Sequence, residues 1–194
     1  MSDIQQTRLD ELLRALAEQL GAAGAATELV VVGGSGLLAL GTIERATRDV
    51  DVVAIREGDR LLSAEPLPDA VLAARARVGR DFGLPEDWLN PGPTDLLELG
   101  LPDGFLDRLE SRPCGDALTV HFASRTDQIH FKLYALVDQG PGRHQSDLLA
   151  LAPSSEELLA AARWARTHDP SPGFRAILEQ VLDHMEVDSG LLDG

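Results

Sequence analysis

Cysteine is nearly absent: Cys114 is the only one in 194 residues. A single thiol excludes an intramolecular disulfide framework and a thiolate metal cluster. No apolar run reaches the roughly 18 residues needed to span a bilayer. The first ten residues, MSDIQQTRLD, are polar and acidic and do not read as a secretory signal. The expectation is a cytoplasmic protein with no membrane and no disulfide partner. Positive charge is also scarce, 17 basic against 32 acidic side chains, a net charge of −15. A field of that sign repels nucleic acid at long range. An RNA or DNA partner would need a local basic patch, for which Arg75, Arg77 and Arg80 are the candidates. A solvated arginine-bearing helix face is the simpler reading of those three.

Lysine is scarcer still. Sixteen of the 17 basic residues are Arg, and Lys132 is the one Lys. Such a bias suggests a background that writes Arg wherever a positive charge suffices, which makes Lys132 a pointer to a position where Arg does not serve. An exposed helix position where Lys survived by chance is the plain alternative.

What is present reads as an ordinary globular chain, 44% hydrophobic and 25% charged. Thr7 and Asp10 open a helix in which Leu9, Leu12, Leu13, Leu16 and Leu20 keep helical spacing, closed by Gly21 and Gly24. Residues 28–34 read as a buried strand, 35–41 as a short helix and 48–55 as a second, β-branched strand. Residues 56–70 read as a loop, 69–78 as a helix, and 83–104 as loop and short turns punctuated by Pro and Gly. A third strand is expected at 117–124 and a helix at 127–138. Another helix follows the turn at Pro141-Gly142. Ser154 and Glu157 form a capping box for a helix over 155–167. Pro172 opens a last helix to about residue 186, followed by a frayed acidic tail. This predicts an α/β (α+β) fold, a small mixed sheet flanked by helices. Residues 1–151 form its core and 152–194 a helical extension packed on the same domain.

Asp49 and Asp51 stand two apart on a predicted strand, so both carboxylates project from one face while Val50 and Val52 enter the core. Paired carboxylates suit a hard cation such as Mg²⁺, which also binds substrate phosphates. A solvated strand end is the bland reading of Asp-x-Asp. The preceding Gly33-Gly34-Ser35 ends one strand and opens a helix. Glycine lets a phosphate approach the backbone, a helix N-terminus favours anions, and Ser35 adds a donor. A plain tight turn is the competing reading. A phosphate cradle beside a carboxylate pair suits phosphoryl or nucleotidyl transfer.

The stretch Gly33-Gly34-Ser35 … Arg45-Ala46-Thr47-Arg48-Asp49-Val50-Asp51 resembles the nucleotidyltransferase superfamily. It looks most like the branch of AbiEii-type abortive-infection toxins and their small bacterial relatives. Asp87-Trp88-Leu89-Asn90 also resembles a segment of those relatives. Lys132, Arg143 and Ser146-Asp147-Leu148-Leu149-Ala150-Leu151 resemble a later Lys … Arg … Lys-Asp-x-x-Asp-Leu region, with Ser146 and Ala150 as departures. The resemblance covers roughly residues 25–151. It implies a Mg²⁺-dependent transfer of an NMP from an NTP to an acceptor hydroxyl on RNA or protein, and leaves a place for an antitoxin partner. In it Asp49 and Asp51 hold the metal, while Gly33, Gly34, Ser35, Arg45 and Thr47 line the nucleotide site. Lys132 contacts the triphosphate, and Asp147 orients Lys132 or acts as base. The strand at 117–124 offers no secure third metal carboxylate.

Two other readings compete. Gly34-Ser35-Gly36-Leu37-Leu38-Ala39 fits the dinucleotide fingerprint G-x-G-x-x-A, with Glu57 about 20 residues on. It leaves the two aspartates without a role. A non-catalytic partner protein that keeps the fold is the second, motivated by Ser146, Ala150 and the acidic surface. His121, His130, His144, His168 and His184 lack metal-ligand spacing and read as satisfied histidines, His144 being the one worth testing. Trp88 reads as a packing anchor before a base-stacking platform.

Overall fold

The structure, a computed structural model, describes residues 4–193. These form two compact units, Met1–Ser124 and Arg125–Gly194.

In the first unit, α1 (Gln6–Ala22) buries Leu9, Leu12, Leu13, Leu16 and Leu20, the stripe its periodicity predicts. It runs past Gly21 and is followed by Gly24 in the left-handed region, φ 66°. Six strands follow among the described residues: β1 (Thr27–Val32), β2 (Val50–Glu57), β3 (Arg60–Ser63), β4 (Leu89–Asn90), β5 (Glu110–Gly115) and β6 (Leu118–Phe122). Between them lie α2 (Gly33–Ala39), α3 (Asp69–Phe82) and α4 (Asp95–Leu99). The sheet runs β3-β2-β1-β6-β5, with β4 pairing β2. β1/β6 and β2/β4 are parallel, and the other pairs are antiparallel. The expected mixed sheet flanked by helices is therefore present. Its centre is dry: Leu29 to Val32, Val52, Val53, Ala54, Val120 and Phe122 are all buried.

Most element ends shift by a few residues from the sequence reading, and four differences matter more. The second strand starts at Val50, so Asp49 leads into it. The expected loop at 56–70 contains β3, which turns back on β2 through Gly58 at φ 61°. It is an exposed edge strand, so no apolar alternation betrays it. β5 was not anticipated for the same reason: its sequence ESRPCG is polar and includes Pro113, which an edge strand tolerates. The tail is not simply frayed, because Ser189–Asp193 forms a 3-10 turn that buries Leu192.

The second unit is helical: α5 (Arg125–Gln139), α6 (Arg143–Ala150), α7 (Ser155–His168) and α8 (Pro172–His184). α5 is its central element, burying Ile129, Phe131, Leu133, Leu136 and Val137 together with Asp127, Gln128, His130 and Lys132. The capping box forms as read, Ser154 Oγ accepting from Glu157 N–H and Glu157 accepting from Ser154 N–H. Pro172 occupies the first turn of α8, capped by Ser171. Phe131, Tyr134, His168 and Phe174 gather around Trp164 and one another in edge-on and tilted contacts. No described helix is long and apolar enough to cross a membrane.

Candidate active site

The first unit places six of the expected residues around one turn: Gly33, Gly34, Ser35, Arg45, Thr47 and Asp51. β1 ends at Val32, and Gly33 takes φ 72°, a conformation that favours glycine. A Cβ on Gly33 would collide with Asp51 Oδ2. The next glycine is confined by the other limb of the motif. A Cβ on Gly34 would stand 2.9 Å from Thr47 Oγ1 and 4.0 Å from Arg45 Nη2. The missing Cβ atoms of the Gly-Gly pair thus let the turn lie directly under Asp51 and Thr47. Ser35 is fully buried, and its hydroxyl donates to the Val32 carbonyl at 3.4 Å. α2 has seven residues, so the openness of this turn rests on its glycines more than on a long aligned dipole.

Thr47 is buried and held from two sides. Its backbone exchanges hydrogen bonds with Ile4, 2.7 and 2.9 Å, and its hydroxyl donates to the Asp49 carbonyl at 3.3 Å. Asp49 and Asp51 are both half-buried. Among the described residues no group of three or more His, Cys, Asp or Glu side chains is placed to hold a metal alone. The donor set placed against the turn is the Asp51 carboxylate, with Asp49 one residue before β2. It fits Mg²⁺, which is commonly held by one or two carboxylates and completed by phosphate oxygens and water.

The profile of a family described as "Nucleotidyltransferase of unknown function (DUF6036)" matches residues 7–141. The chain belongs to this family. No curated protein and no solved structure matches it. The dinucleotide fingerprint is set aside by topology. In this nucleotidyltransferase the strand after the glycine turn pairs antiparallel with β1, whereas a Rossmann unit returns parallel through a long crossover helix.

Asn90 is the site residue that sequence reasoning noticed without assigning. β4 pairs with β2 so that Asn90 stands opposite Asp51, and its Nδ2 donates to Asp51 Oδ1 at 3.3 Å. Trp88 is fully buried, as a packing anchor should be, and its indole N–H donates to the Arg75 carbonyl at 3.0 Å. Arg75 in turn donates to the Leu89 carbonyl at 3.1 Å. Of the three arginines on α3, Arg75 is half-buried and engaged with backbone, while Arg77, which reaches Gln19 at 3.4 Å, and Arg80 are exposed, in keeping with the simpler reading of a solvated helix face.

Lys132 and Asp147 lie in the second unit, where they form a buried ion pair between α5 and α6. Lys132 Nζ is 2.8 Å from Asp147 Oδ2, with side chains 7% and 1% exposed. The exposed-position reading of the solitary lysine is excluded by this burial. His121, His130 and His144 are hydrogen-bonded, and His168 packs edge-on against Tyr134 and Trp164. His121 Nε2 lies 2.8 Å from Glu28 Oε2 and Nδ1 lies 2.7 Å from Ser111 Oγ. A carboxylate only accepts, so Nε2 carries the proton and Nδ1 accepts from the serine. His144 meets Gln139 at 3.0 Å, and His130 Nδ1 donates to the Thr126 carbonyl at 2.8 Å.

Proposed function

We infer that this nucleotidyltransferase transfers an NMP from an NTP to an acceptor hydroxyl, with Mg²⁺ held by Asp49 and Asp51. One observation carries the reading: the Asp51 carboxylate lies against Gly33, where any side chain would displace it. Gly33 and Gly34 let the Asp51 carboxylate and the Thr47 hydroxyl close against the turn, and the Arg45 guanidinium beside Gly34 supplies a charge for phosphate oxygens. Thr47 fixes the limb that carries Asp49, and Ser35 ties the turn to Val32. Bound Mg²⁺ would offset the negative charge of the transferring phosphoryl group and orient it. The acceptor oxygen forms a bond to the α-phosphorus, the bond to pyrophosphate breaks, and the acceptor proton leaves to solvent.

The likeness of Gly33-Gly34-Ser35 … Asp49-Val50-Asp51 to the AbiEii-type branch extends the proposal to a toxin restrained by a partner protein. The test is incubation of the purified chain with each labelled triphosphate, Mg²⁺ and total cell RNA or protein. Label transfer that Asp49→Ala and Asp51→Ala abolish, in folded protein, supports the reading. Transfer unchanged in either variant refutes it. Nucleotide binding without any turnover would favour the non-catalytic alternative.

A further inference from the structure

The segment Asp87-Trp88-Leu89-Asn90 is built into the fold more firmly than a loop between α3 and α4 requires. Trp88 is fully buried and ties to Arg75 through its indole N–H. The Arg75 guanidinium returns to the Leu89 carbonyl, so helix and segment clasp each other in both directions. The Trp88 carbonyl accepts from Val50 N–H at 2.6 Å, which fixes the segment in register against the start of β2. These bonds converge on a strand only two residues long, Leu89–Asn90, facing Val50 and Asp51. So short a strand adds little to the sheet. What it does deliver is one carboxamide.

The orientation of that carboxamide follows from its partners. Asn90 Oδ1 accepts from Gly92 N–H at 2.9 Å, an Asx turn, so the opposite side of the amide must be the NH₂ group. That NH₂ donates to Asp51 Oδ1. The other oxygen, Oδ2, is the one that abuts Gly33. Asp51 is therefore gripped on both oxygens, by a neutral donor on one side and bare backbone on the other. Asn90 brings no charge and spends its own oxygen on Gly92, so it adds a hydrogen bond to the site without adding a ligand.

We propose that Asn90 is a positioning residue: its amide fixes the Asp51 carboxylate in the orientation that receives the divalent cation, and the Trp88–Arg75 clasp exists to hold Asn90 there. This rests on the metal reading of Asp49 and Asp51. A hydrogen-bonded partner of a ligating carboxylate sets ligand orientation, and its removal typically costs about 10- to 100-fold in metal affinity or activity.

Asn90 has two jobs, the Gly92 turn and the Asp51 contact, and two variants separate them. Asn90→Ala removes both. Asn90→Ser keeps an oxygen close enough to accept from Gly92 N–H, as Ser does in equivalent turns, but is too short to donate to Asp51. Mn²⁺ binding to the full chain is measured by electron paramagnetic resonance, with thermal melting alongside. The expected result is Mn²⁺ affinity about tenfold weaker in both variants, with Asn90→Ser melting like the wild type. Where transfer is measured, the Mg²⁺ concentration for half-maximal rate rises by a similar factor while the rate at saturating Mg²⁺ falls less. Wild-type Mn²⁺ affinity in a folded Asn90→Ser variant would overturn the proposal, leaving Asn90 a turn residue. Asp51→Asn serves as the reference. If it leaves Mn²⁺ affinity unchanged, the metal reading itself falls and this inference with it.

Discussion

Asp51 Oδ2 occupies the space that a side chain on residue 33 would need. The Gly33→Ala substitution must therefore displace the carboxylate or the turn, and it must also hold φ near 72° with a Cβ present. The backbone alone costs roughly 1–2 kcal/mol. Transfer activity should fall far more than stability does, because the displaced group is the one assigned to the metal. Melting temperature and Mg²⁺-dependent turnover, measured on the same preparation, check this.

Lys132 and Asp147 form a charge pair far more buried than Arg125–Glu157 or Arg175–Glu179 in the same unit. Lys132→Ala leaves a carboxylate without its counter-charge in a dry place, a change that typically costs about 3–5 kcal/mol. The paired change Lys132→Met with Asp147→Leu should recover most of that loss, since it removes both charges and keeps volume. Denaturant titration of the single and double variants reads the difference. A double variant as unstable as Lys132→Ala would show that the charges matter beyond their pairing. Lys132→Arg keeps the charge but replaces a compact ammonium by a wider planar fork. It should lower transfer about tenfold, equivalent to roughly 1.4 kcal/mol. Equal turnover would limit this lysine to holding the helices together.

Glu157 gives the second unit an acid-sensitive clasp. Its hydrogen bond from Arg125 is the main cause that holds its carboxyl below the usual value, and the cap bonds from Ser154 act in the same direction. A carboxyl depressed in the folded state contributes stability that is present above its unfolded value, about 4.5, and lost as pH falls through the lower folded one. The site is largely exposed, so the effect is small and screened by salt. Melting curves from pH 6 to pH 3 should drop less steeply in Glu157→Gln than in the wild type. Parallel curves would remove Glu157 from the acid response.

Tyr134 is the only tyrosine, so its ionisation can be followed by absorbance alone. Burial raises its phenol above the ordinary value of 10.0, with Asp138 and Asp169 pushing the same way. The folded state therefore favours the neutral phenol. Its contribution to stability is complete below pH 10 and is lost as pH rises through the higher folded value. A titration of the native chain should show a midpoint above that of the unfolded chain, and Asp138→Asn should bring it down.

Much of this was legible in the sequence because it was local. The leucine stripe of α1, the Ser154–Glu157 box and Pro172 at the head of α8 each depend on neighbours three or four residues away. The turn at Gly33-Gly34 and the carboxylates at Asp49 and Asp51 were legible as a motif. The two edge strands were not. Arg60–Ser63 and Glu110–Gly115 are held by pairing to a neighbour and bury little of their own, so they carry no apolar pattern. Asn90 could be noticed but not assigned, for a related reason. Its meaning lies 39 positions away at Asp51, and only the register of β4 on β2 brings the two together. The burial of Lys132 was likewise hidden, since the partner that makes it tolerable stands on another helix.

The burial of the solitary lysine also changes how the chain meets amine chemistry. Every other cation is a guanidinium, which ordinary acylating reagents do not touch, and this one ammonium is both shielded from solvent and bound to a carboxylate. In the folded state an activated ester finds this lysine amine out of reach. Lysine acetylation, ubiquitin attachment through a side chain and amine-directed crosslinking all lack a foothold until α5 and α6 separate. Acylation located at Lys132 by mass is therefore a direct report that those two helices have come apart.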